Sequence, residues 1–273
     1  MTMSFLLHES PADFEASEIG DSSRDNAVRR GRGRNDNLTI LEEKLRVPEV
    51  GELVARPRLL NLLDRSAAQF GATIISGRTG TGKTALAADF AARQKRAVWY
   101  SIEPADSGWQ VFSSYFLAGL VGPTAKPAKT PKLPAGETIS TTEAAEFLES
   151  SFRRLDRLRG KRPSLIVLDN IHHLFDAKWF SEFFNLLIFS LIPDVHLLMI
   201  CRSKPPAPLW RLRSKQMLNV IDESVLEFTA DETIELCRLK GIPEGLADSA
   251  HRRSYGRISK LIEMLDEIPH KPV

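Results

Sequence analysis

Ala72-Thr-Ile-Ile-Ser76, Gly77-Arg-Thr-Gly-Thr-Gly-Lys83-Thr84 and the alanine-rich run Lys83–Lys95 decide how this 273-residue chain is read. The first piece is short, apolar and rich in β-branched residues, which predicts a buried strand. The second fits G-x-x-x-x-G-K-[ST] at every fixed position. The third predicts a helix. Glycines in such a loop permit backbone angles that aim consecutive N–H groups inward as an anion nest. The helix that follows adds the positive end of its dipole. The expected chemistry is phosphate binding by Gly77, Arg78, Thr79, Gly80, Thr81 and Gly82. Lys83 is expected to reach the β- and γ-phosphates, and the Thr84 hydroxyl to ligate Mg²⁺. The ligand expected is ATP or its product ADP, because the chain has no Asn-Lys-x-Asp guanine box.

A phosphate loop of this kind needs an acid for the metal, and Leu165-Ile-Val-Leu-Asp169 supplies one at the end of a continuous apolar run. Ligands bind at that end of the strands in open α/β sheets, so Asp169 is the second Mg²⁺ ligand expected. Asn170 follows it and cannot act as a general base. Hydrolysis is therefore slow, or another acid serves. Glu103 is the candidate water-activating residue, with Asp106 beside it; the alternative is a surface carboxylate. Arg202 ends another apolar run, Val195–Cys201, and is placed to bind the γ-phosphate. The candidate catalytic set is thus Lys83, Asp169, Glu103 and Arg202. His172 reads either as a γ-phosphate contact or as a packing residue. Adjacent His172 and His173 make no metal site, since no Cys or His partner lies at zinc-ligand spacing. Arg211, Arg213 and Lys215 read as sensor or interface residues, or as the solvated face of a basic helix.

Strand-like runs at Ala72–Ser76, Arg96–Ile102, Ser164–Leu168, Val195–Cys201 and Val225–Phe228 alternate with helix-like segments. Those segments are Lys83–Lys95, Trp109–Val121, Thr141–Arg159 and Ala177–Leu191. Such alternation predicts an α/β fold: a three-layer P-loop NTPase with a central parallel sheet. From Asp231 onward the pattern is all helical. The expected organisation is a mostly disordered polar tail over 1–46, the NTPase domain over 47–229 and a small helical lid subdomain over 230–273. The tail carries Arg24, Arg29, Arg30, Arg32 and Arg34 among acids. It reads as a solvated tail, with a nucleic-acid arm as the alternative. Gly122–Gly136, with four prolines, reads as an extended linker, with partner docking as the alternative.

Composition narrows the class. An apolar share of 42% with 26% charged residues excludes collagen-like, wholly disordered and coiled-coil chains. A net charge of +2 names no partner. Two cysteines cannot build a disulfide framework and fit a reducing compartment. The longest apolar stretch, Phe183–Val195, contains Asn185, Ser190, Pro193 and Asp194 and is too short to span a bilayer. A cytoplasmic protein without a membrane segment is expected.

Taken together these stretches resemble a family. Lys44-Leu-Arg-Val-Pro48, Val54-Ala-Arg56-Pro57 and the phosphate loop are similar to the STAND-class P-loop ATPases. The resemblance is particularly to the MalT-like ATPase module of large LuxR-type transcription regulators, of AAA+ lineage. Trp99-Tyr-Ser-Ile-Glu103, Phe112-Ser-Ser-Tyr115, Leu168-Asp-Asn-Ile-His172, Cys201-Arg202 and Leu226-Glu-Phe228-Thr229 carry the likeness further. It implies that Arg56 belongs to the segment over the adenine and that Arg202 is a sensor. The stretch Tyr255-Gly-Arg257-Ile-Ser resembles instead the AAA+ lid helix, which makes Arg257 a γ-phosphate candidate. Asn170 replaces that family's second acid. Those regulators are several times longer, with a sensor arm and a DNA-binding helix-turn-helix that 273 residues leave no room for, so their DNA role is not carried over. The implied function is a slowly hydrolysing ATP switch with a protein partner or self-association. The rival expectations are an AAA+ accessory ATPase acting on DNA and a non-enzymatic scaffold that keeps ADP. A P-loop kinase is a distant further alternative.

Overall fold

Every strand of the central sheet runs parallel to its neighbours, because each is reached by a crossover through a helix. The strands are β1 (Ala72–Ser76), β2 (Ala97–Ser101), β3 (Leu165–Asp169), β4 (His196–Cys201) and β5 (Leu218–Ile221). Their order is β2-β3-β4-β1-β5. The structure is a computed structural model that describes residues 40–122, 138–157 and 163–268. The arginine run of the tail and residues 123–136 of the proline-rich segment lie outside the described residues.

β1, β3 and β4 are buried along their whole length, as continuous apolar runs covered on both faces must be. One face is covered by α1 (Pro57–Gln69) and α2 (Lys83–Ala92). Leu59, Leu63, Leu86 and Phe90 pack there on Ile75, Val167, Leu198 and Ile200. The other face carries α3 (Trp109–Val121), α4 (Thr141–Arg157) and α5 (Phe180–Phe189), together with α6 (Ala207–Ser214). That layer is aromatic: Trp109 meets Phe147, Trp179 and Phe183 edge-on, with ring centroids 5.1–5.3 Å apart. Such edge-on geometry suits the ring quadrupoles. A third, smaller core joins α7 (Ala230–Leu239), α8 (Ala247–Ser254) and α9 (Ile258–Asp266) through Phe228, Leu236, Cys237, Leu261 and Leu265.

The three-layer architecture expected is the one present. Its fifth strand is not where the sequence places it. Val225–Phe228 is not a strand: Glu223–Leu226 is a 3₁₀ turn, and β5 lies at Leu218–Ile221. The Asp222 side chain accepts the Ser224 N–H and winds the chain into that turn, which takes Val225 and Leu226 out of any strand. Leu226 and Phe228 are apolar because they enter two different cores. Helix α1 has no counterpart in the sequence reading. It begins with Pro57 at its first position, where a missing N–H costs nothing.

Residues 40–46, assigned by sequence to the polar tail, are tied to the end of β2. Lys44 is buried and places its Nζ 2.8 Å from Asp106 and 2.7 Å from Glu103, above the Tyr115 ring. Burial pulls its pKa down, but the hydrogen bonds from Lys44 to these two carboxylates outweigh that and hold it above the ordinary lysine value.

The helical unit is pinned at Gly256, whose φ is +70°. Its carbonyl accepts the Phe228 N–H at 2.7 Å, and a Cβ there would lie 2.4 Å from the Phe228 carbonyl oxygen. Backbone on both sides leaves nothing flexible to give way. Gly256→Ala is expected to cost about 2–3 kcal/mol from left-handed strain plus the clash. Urea denaturation would read this as a lower midpoint at unchanged slope; an unchanged midpoint would refute it.

Candidate nucleotide site

The loop Gly77–Gly82 joins the C-terminal end of β1 to α2, and two of its glycines require what only glycine does easily. Gly80 and Gly82 have φ of +79° and +81°. A Cβ on Gly80 would also lie 2.8 Å from the Ser259 Cβ, at the start of α9. The N-terminus of α9 therefore rests directly on the loop. Lys83, the first residue of α2, folds back: its Nζ donates to the Arg78 carbonyl at 2.6 Å and to the Thr81 hydroxyl at 3.0 Å. The ammonium is buried with neutral oxygens as its hydrogen-bond partners, and burial holds its pKa below the ordinary lysine value. A buried cation without a bonded carboxylate is costly. An anion delivered to the loop would complete it, so the residues present fit a phosphate.

Although β4 separates β1 from β3, the two ends converge. The Thr84 hydroxyl donates to Asp169 Oδ2 at 3.1 Å. Asp169 Oδ1 accepts the Asn170 N–H at 2.8 Å. Burial raises the Asp169 pKa against those bonds. A hydroxyl beside a desolvated carboxylate fits a hard divalent cation. Among the described residues no group of three or more His, Cys, Asp or Glu could hold a metal unaided, so the remaining oxygens must come from phosphate and water. Asn170 has φ +60°, a left-handed position that Asn tolerates, and it starts the turn Ile171–Leu174.

His172 lies in that turn. Its Nδ1 is buried with no partner, and its ring centroid is 4.1 Å from that of His173. Burial, then the neighbouring His173, Arg202 and Lys83, push its pKa down to about 4, so the ring is neutral near pH 7. The same electrostatic neighbourhood joins Lys83, Asp169, Arg202 and His172. Arg202 itself is exposed at the end of β4.

The AAA ATPase domain family matches residues 55–191, half of the chain. The chain belongs to the AAA ATPase domain family. Over 205 residues it is 27% identical to the HTH-type transcriptional regulator MalT of Serratia proteamaculans and 26% identical to that of Cronobacter sakazakii. Each match covers 73% of this chain and 22% of the relative, so the chain spans about a fifth of the length of these regulators. Among solved structures it is similar to the Aeropyrum pernix Orc1 protein, determined in complex with DNA. That likeness has 19% identity and a TM-score of 0.48, over 80% of this chain and 60% of the other. The resemblance to MalT-like ATPase modules, read first from the motifs, is borne out.

Of the remaining candidate residues of this AAA domain, Arg56, Glu103 and Arg257 make no hydrogen bond to the loop. Arg56 commits one guanidinium nitrogen to the Leu226 and Glu227 carbonyls and to Glu232, at 2.8–3.0 Å, and lies over the Phe228 ring. It ties the start of α1 to the chain that enters α7, and its buried Nε has no partner. Glu103 is paired with Lys44, and Asp106 accepts the Glu103 N–H. The Glu103 carboxylate is thus engaged by the Lys44 ammonium. Arg257 caps α9, exposed, with its charge felt by Glu223. Thr79 is exposed on the loop.

Sequence reasoning missed Glu223. Its carboxylate accepts the Arg78 N–H at 3.1 Å and the Arg78 guanidinium at 2.8 Å, which hold it below the usual carboxylate range. The contact spans 145 positions of sequence, and no local pattern announces it.

Proposed function

We propose that this AAA domain binds ATP with Mg²⁺ and works as a slowly hydrolysing, nucleotide-dependent switch. The observation that carries the reading is the convergence of a buried Lys83 ammonium, the Thr84 hydroxyl and the Asp169 carboxylate at one end of the sheet. On binding, Lys83 exchanges the Arg78 carbonyl for phosphate oxygens. The backbone N–H groups of Gly80, Gly82 and Lys83 face the phosphates. Thr84 and Asp169 would hold Mg²⁺, which would supply charge neutralisation. His172 offers a neutral ring, and Arg202 a cation, toward the terminal phosphate.

Two features favour slow turnover. Asn170 stands where an acid would polarise water, and the other candidate base, Glu103, is held by Lys44. The contact of α9 with Gly80 supports a switch, because a change at the loop is felt by the helical unit. Likeness to proteins named as transcriptional regulators supports a role in regulation through a protein partner or a second copy. Free, buried Cys201 and Cys237 support a reducing compartment such as the cytoplasm. Among the described residues no helix is long and apolar enough to cross a membrane.

The test is the nucleotide released by acid from freshly purified protein, identified by chromatography, with Lys83→Ala as control. The expected result is near-stoichiometric ADP or ATP from the wild type and none from the variant. An empty wild-type site that also fails to take up added Mg·ATP would overturn the proposal.

A further inference from the structure

Between α5 and α6 runs a groove of about 540 Å³, lined by Asn185, Phe189, Arg211, Leu212, Ser214 and Lys215. We propose that this groove binds single-stranded nucleic acid, with bases stacked on Phe189 and phosphates held by Arg211 and Lys215.

Charge is the first ground. Residues 202–216 contain Arg202, Lys204, Arg211, Arg213 and Lys215 and not one Asp or Glu. The whole chain is nearly neutral, with 37 basic and 35 acidic residues, so this segment departs sharply from the average. All five cations are exposed, and among the described residues no carboxylate pairs with any of them. Several other surface arginines of the chain do find acids, Arg93 with Asp89, Arg238 with Glu244 and Arg252 with Asp248, although Arg65 donates only to a backbone carbonyl. Basic residues in the last turn of α6 also suit its dipole. That accounts for Arg211 and Arg213 but not for the lack of any acid among the residues that line the groove.

The aromatic residues are the second ground. Phe189 is 54% exposed at the end of α5, an unusual place for a phenylalanine in a fold that buries most of its rings. Lys215 Nζ lies 5.5 Å from its ring centroid, and the Arg213 guanidinium lies 4.9 Å from that of Trp210. Cations interleaved with accessible rings are what a single strand uses: a sequence-tolerant stacking platform beside a phosphate track. A duplex keeps its bases stacked on each other and would leave Phe189 idle. A groove of this volume between two helices admits a base or two, and Asn185 adds a donor and an acceptor for a base edge. The ligand class is therefore single-stranded DNA or RNA, and the 2′-hydroxyl is what separates the two.

The experiment is fluorescence anisotropy of labelled oligo-dT and oligo-rU against the full chain, without nucleotide, over a salt series. Wild type is expected to bind one or both at about 50 mM salt and to weaken steeply with salt. Arg211→Ala with Lys215→Ala is expected to weaken binding at least about tenfold and to flatten the log–log salt slope by about 1.4. Phe189→Ala is expected to lose about 5- to 100-fold at an unchanged slope, and Phe189→Tyr to retain binding. These side chains are exposed, so thermal melting should be unchanged and confirms folded variants. Binding that is undetectable at low salt, unmoved by these variants or stronger for duplex overturns the proposal. So does a result in which the same variants abolish self-association of a chain that binds no oligonucleotide. Lys83→Ala should bind the oligonucleotide like wild type, which separates this groove from the nucleotide site.

Discussion

Lys83→Ala is expected to abolish ATP binding while leaving the nucleotide-free protein as stable as wild type or more so. A lysine that bonds phosphate makes charge-assisted hydrogen bonds of about 1.5–3 kcal/mol each. Losing two of them weakens affinity by two orders of magnitude or more. The stability half of the expectation comes from the empty loop. There the ammonium is buried, donates to Arg78 and Thr81 oxygens and has its pKa lowered chiefly by burial. A base whose folded pKa lies below its unfolded value binds fewer protons when folded, so its charge works against folding until pH rises through that window. Removing the group removes that penalty. Thermal melting with and without Mg·ATP checks both halves: the ATP-induced shift should vanish, and the nucleotide-free Tm should hold or rise. A Tm that falls by several degrees together with a retained ATP shift would refute the assignment. Asp169→Asn serves as the companion variant. It should keep nucleotide affinity in the absence of metal and lose the gain that Mg²⁺ brings.

The second large effect is expected at Glu232, far from the phosphates. Its Oε2 accepts from Arg56 and from the Thr229 N–H, both at 3.0 Å, and its Oε1 accepts from Arg58 at 2.9 Å. Arg56 and Glu232 are both buried. Glu232 therefore joins the start of α1 to the start of α7, where it also closes the capping box with Thr229. Removing one member of a buried ion pair leaves the other charge uncompensated, at about 3–5 kcal/mol. Glu232→Ala is expected to destabilise the chain by that amount, and Glu232→Gln by less, because an amide oxygen still accepts one arginine. Burial alone would raise the Glu232 pKa, but the Arg58, Arg56 and Thr229 hydrogen bonds outweigh it and hold the carboxyl below the usual range. The folded pKa lies below the unfolded one. The contribution is therefore complete above the ordinary glutamate pKa, about 4.3, and is lost as pH falls through the folded value. Urea midpoints measured from neutral pH down to acid should fall less steeply for Glu232→Gln than for wild type. Parallel curves would show that the carboxylate does not carry the link.

The residues that bear the candidate chemistry were legible in the sequence, and the contacts that govern them were not. Gly77–Thr84 announces itself because the backbone angles of a phosphate loop are met by residues at fixed, short spacing. Asp169 is legible because a strand buried on both faces reads as an unbroken apolar run ending in an acid. Trp109–Val121 was placed to the residue for a similar reason. Val225–Phe228 shows the limit. Its apolar residues are real core residues, but apolar content does not say whether a segment pairs along a sheet edge or turns between two cores. Arg56 is the sharper lesson: the resemblance assigns it to the adenine, and the folded chain surrounds its guanidinium with Glu232 and two carbonyls.

Local periodicity and spacing in the sequence determined the candidate phosphate loop, the acid proposed for the metal, the parallel α/β sheet and the helical C-terminal unit. They do so because helix, strand and loop preferences act over a few residues. Only the tertiary structure decided that Lys44 holds Glu103 and Asp106, that Glu223 sits on Arg78 and that Glu232 clamps Arg56 and Arg58. It alone also set Phe189 beside Lys215. These pairs lie 26 to 176 positions apart in sequence. Charge complementarity and aromatic stacking depend on distance in space, and the crossovers of the sheet create that proximity.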